Sequence, residues 1–252
     1  MKFLLKSIQG LSDAIKRFPL AVLSLSAESI LLWYIISLDT DPSDYTLKIV
    51  FILAVAIVTG ITVEFIIERI DRSLKFKQLA YGASILFIAL FAFIIWPSLE
   101  IDYLVGTRTF VTLFALICLA LYIPSYKKGF EFNLVALTAF KSMFTSGLYA
   151  IVLFLGLAAT IASIDLLLFN VDEKFFAYTA VFVFVLFMVM YFLSLLPDFN
   201  SEDQKSIEHR LEQTSFPKLL LILISYILIS LVSIYSLVLF AYIVKIVVTF
   251  VW

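Results

Sequence analysis

Leu47–Ile67 reads LKIVFILAVAIVTGITVEFII, twenty-one residues of which only Lys48 and Glu64 are charged. At 1.5 Å of rise per residue such a helix covers about 31 Å, the thickness of a bilayer's hydrocarbon core. Working outward from it, six further apolar stretches satisfy the same rule: Leu20–Leu38, Leu79–Trp96, Tyr103–Ile123, Phe144–Phe169, Phe175–Leu196 and Leu219–Phe240. Composition agrees, being 63% hydrophobic and 15% charged, against about 45–50% and 25% in soluble domains. No single soluble core of this size buries 26 Phe and 12 Tyr without leaving aggregating patches. Lipid is the solvent, and backbone groups in lipid must bond internally. The expectation is an all-α, polytopic transmembrane bundle of about seven spans.

The fifth apolar run begins back at Leu134 and the seventh continues to Trp252. Each therefore predicts strong tilt, an interfacial extension, or, after Phe240, a separate short or re-entrant element. Pro19 and Pro217 precede the first and last spans, where a fixed φ and a missing N–H suit a helix start. Ahead of them, Leu4, Ile8, Leu11, Ile15 and Phe18 recur at spacings of three and four opposite Lys2, Lys6, Gln9, Asp13, Lys16 and Arg17. Residues 1–19 thus read as an amphipathic interfacial helix; the run that follows is too long, and lacks the small-residue site, for a cleaved signal peptide. Residues 20–252 read as one multi-pass domain. Its sizeable polar segment, 197–217, is a connector in which Ser201 and Gln204 have capping-box spacing.

Cationic loops stay cytoplasmic. Lys2, Lys6, Lys16, Arg17, Arg69, Arg72, Lys75, Lys77, Lys127, Lys128, Lys205, Arg210 and Lys218 fall on one side in strict alternation, with only Lys48 and Lys174 opposite. This predicts N-terminus inside and, with seven spans, C-terminus outside.

A net charge of −1 removes any overall basic field for nucleic acid. One Cys and one His exclude an intrachain disulfide and the usual multi-residue metal sites. Gly82-Ala83-Ser84-Ile85 lacks the second glycine of a nucleophile motif, Glu208-His209 lacks a second His, and Glu64 with Glu68-Arg69 is not an adjacent acidic pair. No catalytic set and no cofactor is expected. His209 reads as a solvated loop residue, and Cys118 as a small apolar packer.

Charges at membrane depth are the first place to look for function. Glu64, Lys141 and Lys245 lie where they can snorkel to an interface. Arg108 and Asp165 lie at matching depths near the ends of spans four and five, which suits an ion pair that fixes helix packing, or else a role in ligand binding. Glu28 is the acid near mid-span, with Ser24 one turn away and Ser29 adjacent. Tyr226, Ser230, Ser233 and Ser236 on the last span, and Thr59, Gly60 and Thr62 on the second, could form a polar layer with it, or simply bond to backbone and glue helices. Small residues Ser146, Gly147, Ala150, Gly156, Ala159, Ala162 and Ser163 predict close helix approach along span five.

Arg17-Phe18-Pro19-Leu20, Phe140-Lys141 through Gly156 to Ile164-Asp165 and Phe169, Tyr191-Phe192-Leu193-Ser194-Leu195-Leu196-Pro197, and Ala241-Tyr242-Ile243-Val244-Lys245-Ile246 together resemble the bacterial membrane family called domain of unknown function 4153. The resemblance covers most of the chain. It implies a multi-pass protein of the bacterial cytoplasmic membrane without an assigned activity, and it carries over no site residues. It also implies further chain beyond Val251-Trp252, so that the sequence reads as a short member or as part of a longer one. Two functions follow as expectations. The first is a non-enzymatic membrane component that binds lipid and a membrane-protein partner, or a second copy of itself, in the cell envelope. The alternative is an ion- or proton-coupled small-molecule transporter using Glu28.

Overall fold

The computed structural model describes residues 12–38, 41–70, 73–97, 103–126, 131–197 and 229–249. Residues 12–17 are helical, and the chain breaks stride at Phe18, with φ −120° and ψ 58°. The cause is Pro19, whose ring excludes the preceding residue from helical geometry. Helix α1 (Pro19–Ser37) starts there. Helix α2 (Asp44–Ile70) places Asp44 in its first turn and Arg69 in its last, each matching the partial charge of that helix end. Helix α3 (Leu74–Ile95) is capped by the Ser73 hydroxyl, which accepts the Phe76 N–H at 3.3 Å. Helix α4 (Tyr103–Tyr122) tightens into a 3₁₀ turn at Ile123–Ser125.

Helix α5 (Phe132–Leu167) runs for 36 residues, about 54 Å, well beyond a hydrocarbon core. The extra length expected of span five is therefore an extension of the same helix at its beginning. Helix α6 spans Lys174–Leu195, its middle Val181–Phe187 wound as a π-helix between two α segments. Helix α7 is described over Ile229–Thr249.

Among the described residues the structure is helical, and six helices, α1 to α6, are long and apolar enough to cross a membrane. Their bounds follow the apolar runs within a few residues. They overrun at α2 and α3 because helical bonding continues past the last apolar residue where caps satisfy the end. For the expected seventh span, residues 219–228 lie outside the described residues, as do the amphipathic anchor over 1–11 and most of the 197–217 connector. Of the anchor, Ala14 and Phe18 are buried while Ile15 is 47% exposed, so the inward face runs through Ala14, Arg17 and Phe18 rather than through Ile15.

Packing follows the small residues. A Cβ on Gly60 of α2 would lie 2.5 Å from the Ala21 nitrogen of α1, so these two helices cross backbone to backbone. On α5, Gly147 meets Met188 of α6 and Gly156 meets Leu231 of α7. Helix α2 is central to one half, against α1, α3 and α4; α5 packs against α6 and α7 in the other. The α1–α6 contact joins the halves. Leu231 sits at Gly156, and the Lys245 ammonium donates to the Leu167 and Leu168 carbonyls at 3.1 and 2.5 Å. Helix α7 thus runs parallel to α5, and Lys245 caps the end of α5.

Candidate functional site

Glu28 lies nine residues into α1, about 14 Å along a helix about 29 Å long. It shares one face with Phe18, Ala21 and Leu25, all of them fully buried. Glu28 itself is 9% exposed, and no hydrogen bond joins its carboxyl to any described residue. Ser24, one turn away, is also buried, whereas the Ser29 hydroxyl donates back to the Leu25 carbonyl at 2.9 Å.

Helix α6 runs alongside α1. Lys174 Nζ donates to the Ser37 carbonyl at 3.4 Å, Trp33 Nε1 to the Tyr178 carbonyl at 3.3 Å, and Arg17 to the Leu196 carbonyl at 2.8 Å. Phe18 and Leu193 share a core cluster. These pairs lie on one antiparallel register, which sets Glu28 level with Val183, fully buried in the middle of the π stretch. On the other side the Ala21–Gly60 crossing sets Glu28 level with the apolar turn Leu53–Val55 of α2. A bare carboxylate in such surroundings costs several kcal/mol.

Among the described residues the wider polar layer does not form. The Thr59 and Thr62 hydroxyls donate to the Val55 and Val58 carbonyls of their own helix, at 2.7 and 2.8 Å. Ser230, Ser233 and Ser236 are exposed on α7, which packs on α5; the last two bond back to Ile229 and Val232. Tyr226 lies outside the described residues. Back-bonding is the ordinary fate of hydroxyls in apolar helices, and it leaves Glu28 without them.

Arg108 and Asp165 do not pair. Arg108 reaches the Ile94 carbonyl of α3 at 3.5 Å, and Asp165 accepts the Val171 N–H at 2.7 Å, closing the turn after α5. Matching depth brought neither helix face round to the other, since α4 packs chiefly on α2. Reversing both charges, Arg108→Glu with Asp165→Arg, should therefore give the sum of the two single effects on folded yield, within about 0.5 kcal/mol. Recovery by the double variant would restore the pair.

Three other expectations change. Glu64 is buried at 7% exposure and accepts from the Tyr81 hydroxyl of α3 instead of snorkelling. Lys48 lies inside α2, fully buried, with its ammonium 5.2 Å from the Tyr45 ring, and not in a loop. Cys118 is exposed on α4 and not packed.

The most elaborate polar constellation was not marked by the sequence. Arg17 pairs with both oxygens of Glu68 at 2.6 and 2.8 Å, and donates to the Leu196 and Pro197 carbonyls at 2.8 and 2.9 Å. Its guanidinium lies 4.8 Å from the Phe18 ring. One side chain thus ties the starts and ends of α1, α2 and α6. The opposite charges at one end of the bundle were a signal, but their distance in sequence hid the pairing. The π stretch VFVFVLF carries only a weak sign, its β-branched and aromatic residues being modest helix formers.

No curated protein and no solved structure matches the chain. The family model for domain of unknown function 4153 (DUF4153) matches residues 27–252, a span that holds Glu28, the π stretch and, among the described residues, helices α1 to α7 but for the first turns of α1. With nearly its whole length matched, the chain belongs to the DUF4153 family.

Proposed function

We propose that this chain is a non-enzymatic, multi-pass component of the bacterial cytoplasmic membrane, with seven spans and its N-terminus inside, whose working group is Glu28. Of the two modes such a component can use, proton- or cation-coupled movement through the bundle is favoured over docking of a partner helix. One observation carries this choice: Glu28 is buried at mid-span with no bond to a described residue. An intramembrane acid so placed is a functional group by default. The small-residue face of α5, where a partner would otherwise dock, is already occupied by Met188 and Leu231. Partner or lipid binding elsewhere on the surface stays compatible with the fold, but has no comparable feature behind it.

The test is chemical. Dicyclohexylcarbodiimide couples to carboxyl groups that carry their proton in apolar surroundings. Labelling of the full chain in native membranes should map to Glu28, fall as pH rises, and vanish in Glu28→Gln. Protection by sodium or potassium ions would identify a cation as the alternative occupant. In a strain lacking the protein, Glu28→Asp should restore the phenotype and Glu28→Gln should not. Full complementation by Glu28→Gln, or an unreactive Glu28 at every pH, would sink the reading.

A further inference from the structure

The face of α1 that packs on α2 runs through Phe18, Ala21, Leu25 and Glu28, and the seam between the two helices is built differently on either side of Glu28. Towards Arg17 it is closed three times. At the Ala21–Gly60 crossing even an added Cβ would fall 2.5 Å from backbone, which leaves no room for water. Beyond it, Phe18 meets Phe65 edge to face at 5.9 Å, both rings buried. At the end, Arg17 closes on Glu68 at 2.6 Å. One core cluster there draws together α1, α2, α4, α5 and α6. Towards Ser37 the packing loosens. No residue of α1 after Ser29 is buried, and none of α2 between Lys48 and Val55. The Lys174–Ala180 part of α6 buries no side chain, and beyond Ala150 helix α5 buries only Thr160. A second core cluster, built on Val55, Phe91 and Val105, joins α2 to α3 and α4 without α1. Two long hydrogen bonds tie α1 to α6 at this end, from Trp33 at 3.3 Å and from Lys174 at 3.4 Å.

We propose that Glu28 takes up and releases its proton or cation on one side of the membrane only, through water that enters the α1–α2 seam at its Ser37–Asp44 end, an inference that rests on reading Glu28 as the working group. An intramembrane acid faces the bundle interior or a water-filled cavity, and the loosened half of the seam is the way that packing leaves open to it. Glu28 stands at the boundary. Asp44 and Lys48 of α2 and Lys174 of α6 lie towards the open end, with the phenols Tyr34, Tyr45 and Tyr178. Glu64, engaged by Tyr81, and the Arg17–Glu68 pair lie on the closed side. Movement through the bundle then needs a second arrangement in which the Arg17 side parts.

The single cysteine, Cys118, makes the test simple. In a Cys118→Ser background of the full chain, cysteines are introduced one at a time: Ser12→Cys and Ser37→Cys mark the two ends, Glu28→Cys, Ser24→Cys and Ile35→Cys lie on the seam face, and Ile30→Cys lies on the outward face, where the isoleucine is 65% exposed. A membrane-impermeant methanethiosulfonate cation is added to right-side-out or inverted native vesicles. From the side that labels Ser37→Cys, it should label Glu28→Cys and Ile35→Cys at least about tenfold faster than Ile30→Cys, because the thiolate that reacts forms in water and is suppressed in apolar surroundings. From the side that labels Ser12→Cys, it should label neither Glu28→Cys nor Ser24→Cys. Labelling of either from that side, of Glu28→Cys from neither side, or of Ile30→Cys as fast as Ile35→Cys overturns one-sided access. If Glu28 of the unaltered chain still couples to dicyclohexylcarbodiimide, the site itself then stands; a Glu28 that never couples removes both. Should Glu28→Cys fail to assemble, Ile35→Cys and the conservative Ser24→Cys decide by the same criteria.

Discussion

Arg17→Ala is expected to lower stability by about 3–5 kcal/mol, the usual cost of stranding one member of a buried ion pair. The Glu68 side chain is 8% exposed, so the variant leaves a carboxylate without its ion-pair partner among the described residues. The Leu196 and Pro197 carbonyls lose their donor in the same step. Thermal unfolding in detergent should show the loss as a large drop in midpoint, or as failure to accumulate. Arg17→Lys should recover only part, since an ammonium cannot span both Glu68 oxygens and two carbonyls at once. Arg17→Met with Glu68→Leu should recover more than either single change, because an apolar pair removes the stranded charge. Additive loss in that double variant would show that the clasp contributes through its carbonyl bonds instead.

Gly60→Leu should be of similar size, for a steric reason. An added Cβ falls 2.5 Å from the Ala21 nitrogen and 2.9 Å from its Cα, and backbone cannot rotate away as a side-chain tip can. Separating α1 from α2 also opens the seam in which Phe18 and Phe65 meet edge to face at 5.9 Å. Overpacking at about 1–3 kcal/mol adds to the lost contacts, and Gly60→Ala should already show a lower melting midpoint. Gly82→Ala and Gly106→Ala are the controls. A Cβ at either position meets nothing within 4 Å, and helical Gly to Ala there should be neutral or stabilising by up to about 1 kcal/mol. A Gly60→Ala as harmless as these would refute the backbone crossing.

Helix positions were legible because hydrocarbon imposes one rule on each segment separately. Leu47–Ile67 had to be a helix of spanning length whatever its neighbours did. The small residues of α5 were legible as contact points for the same local reason, since Gly147 and Gly156 admit a close neighbour wherever one arrives. Arg108 and Asp165 show where this stops. Depth is a property of one helix and can be counted along it, whereas pairing depends on which faces two helices turn to each other. Lys48 and Glu64 show the same limit: each sat near a span's end, yet both are buried, because α1, α3 and α4 surround α2 on several sides.

By itself the sequence determined that the chain is helical, membrane-spanning and asymmetric in charge, and that Glu28 lies at mid-span. These follow from composition and spacing, which act through the solvent on each segment alone. Only the tertiary structure decided that Arg17 closes on Glu68, that Gly60 lies against the Ala21 backbone, and that Ser233 and Ser236 of α7 bond back to their own helix and not to Glu28. Those outcomes depend on rotation and register between helices, which apolar side chains in apolar surroundings leave nearly free until backbones come into contact.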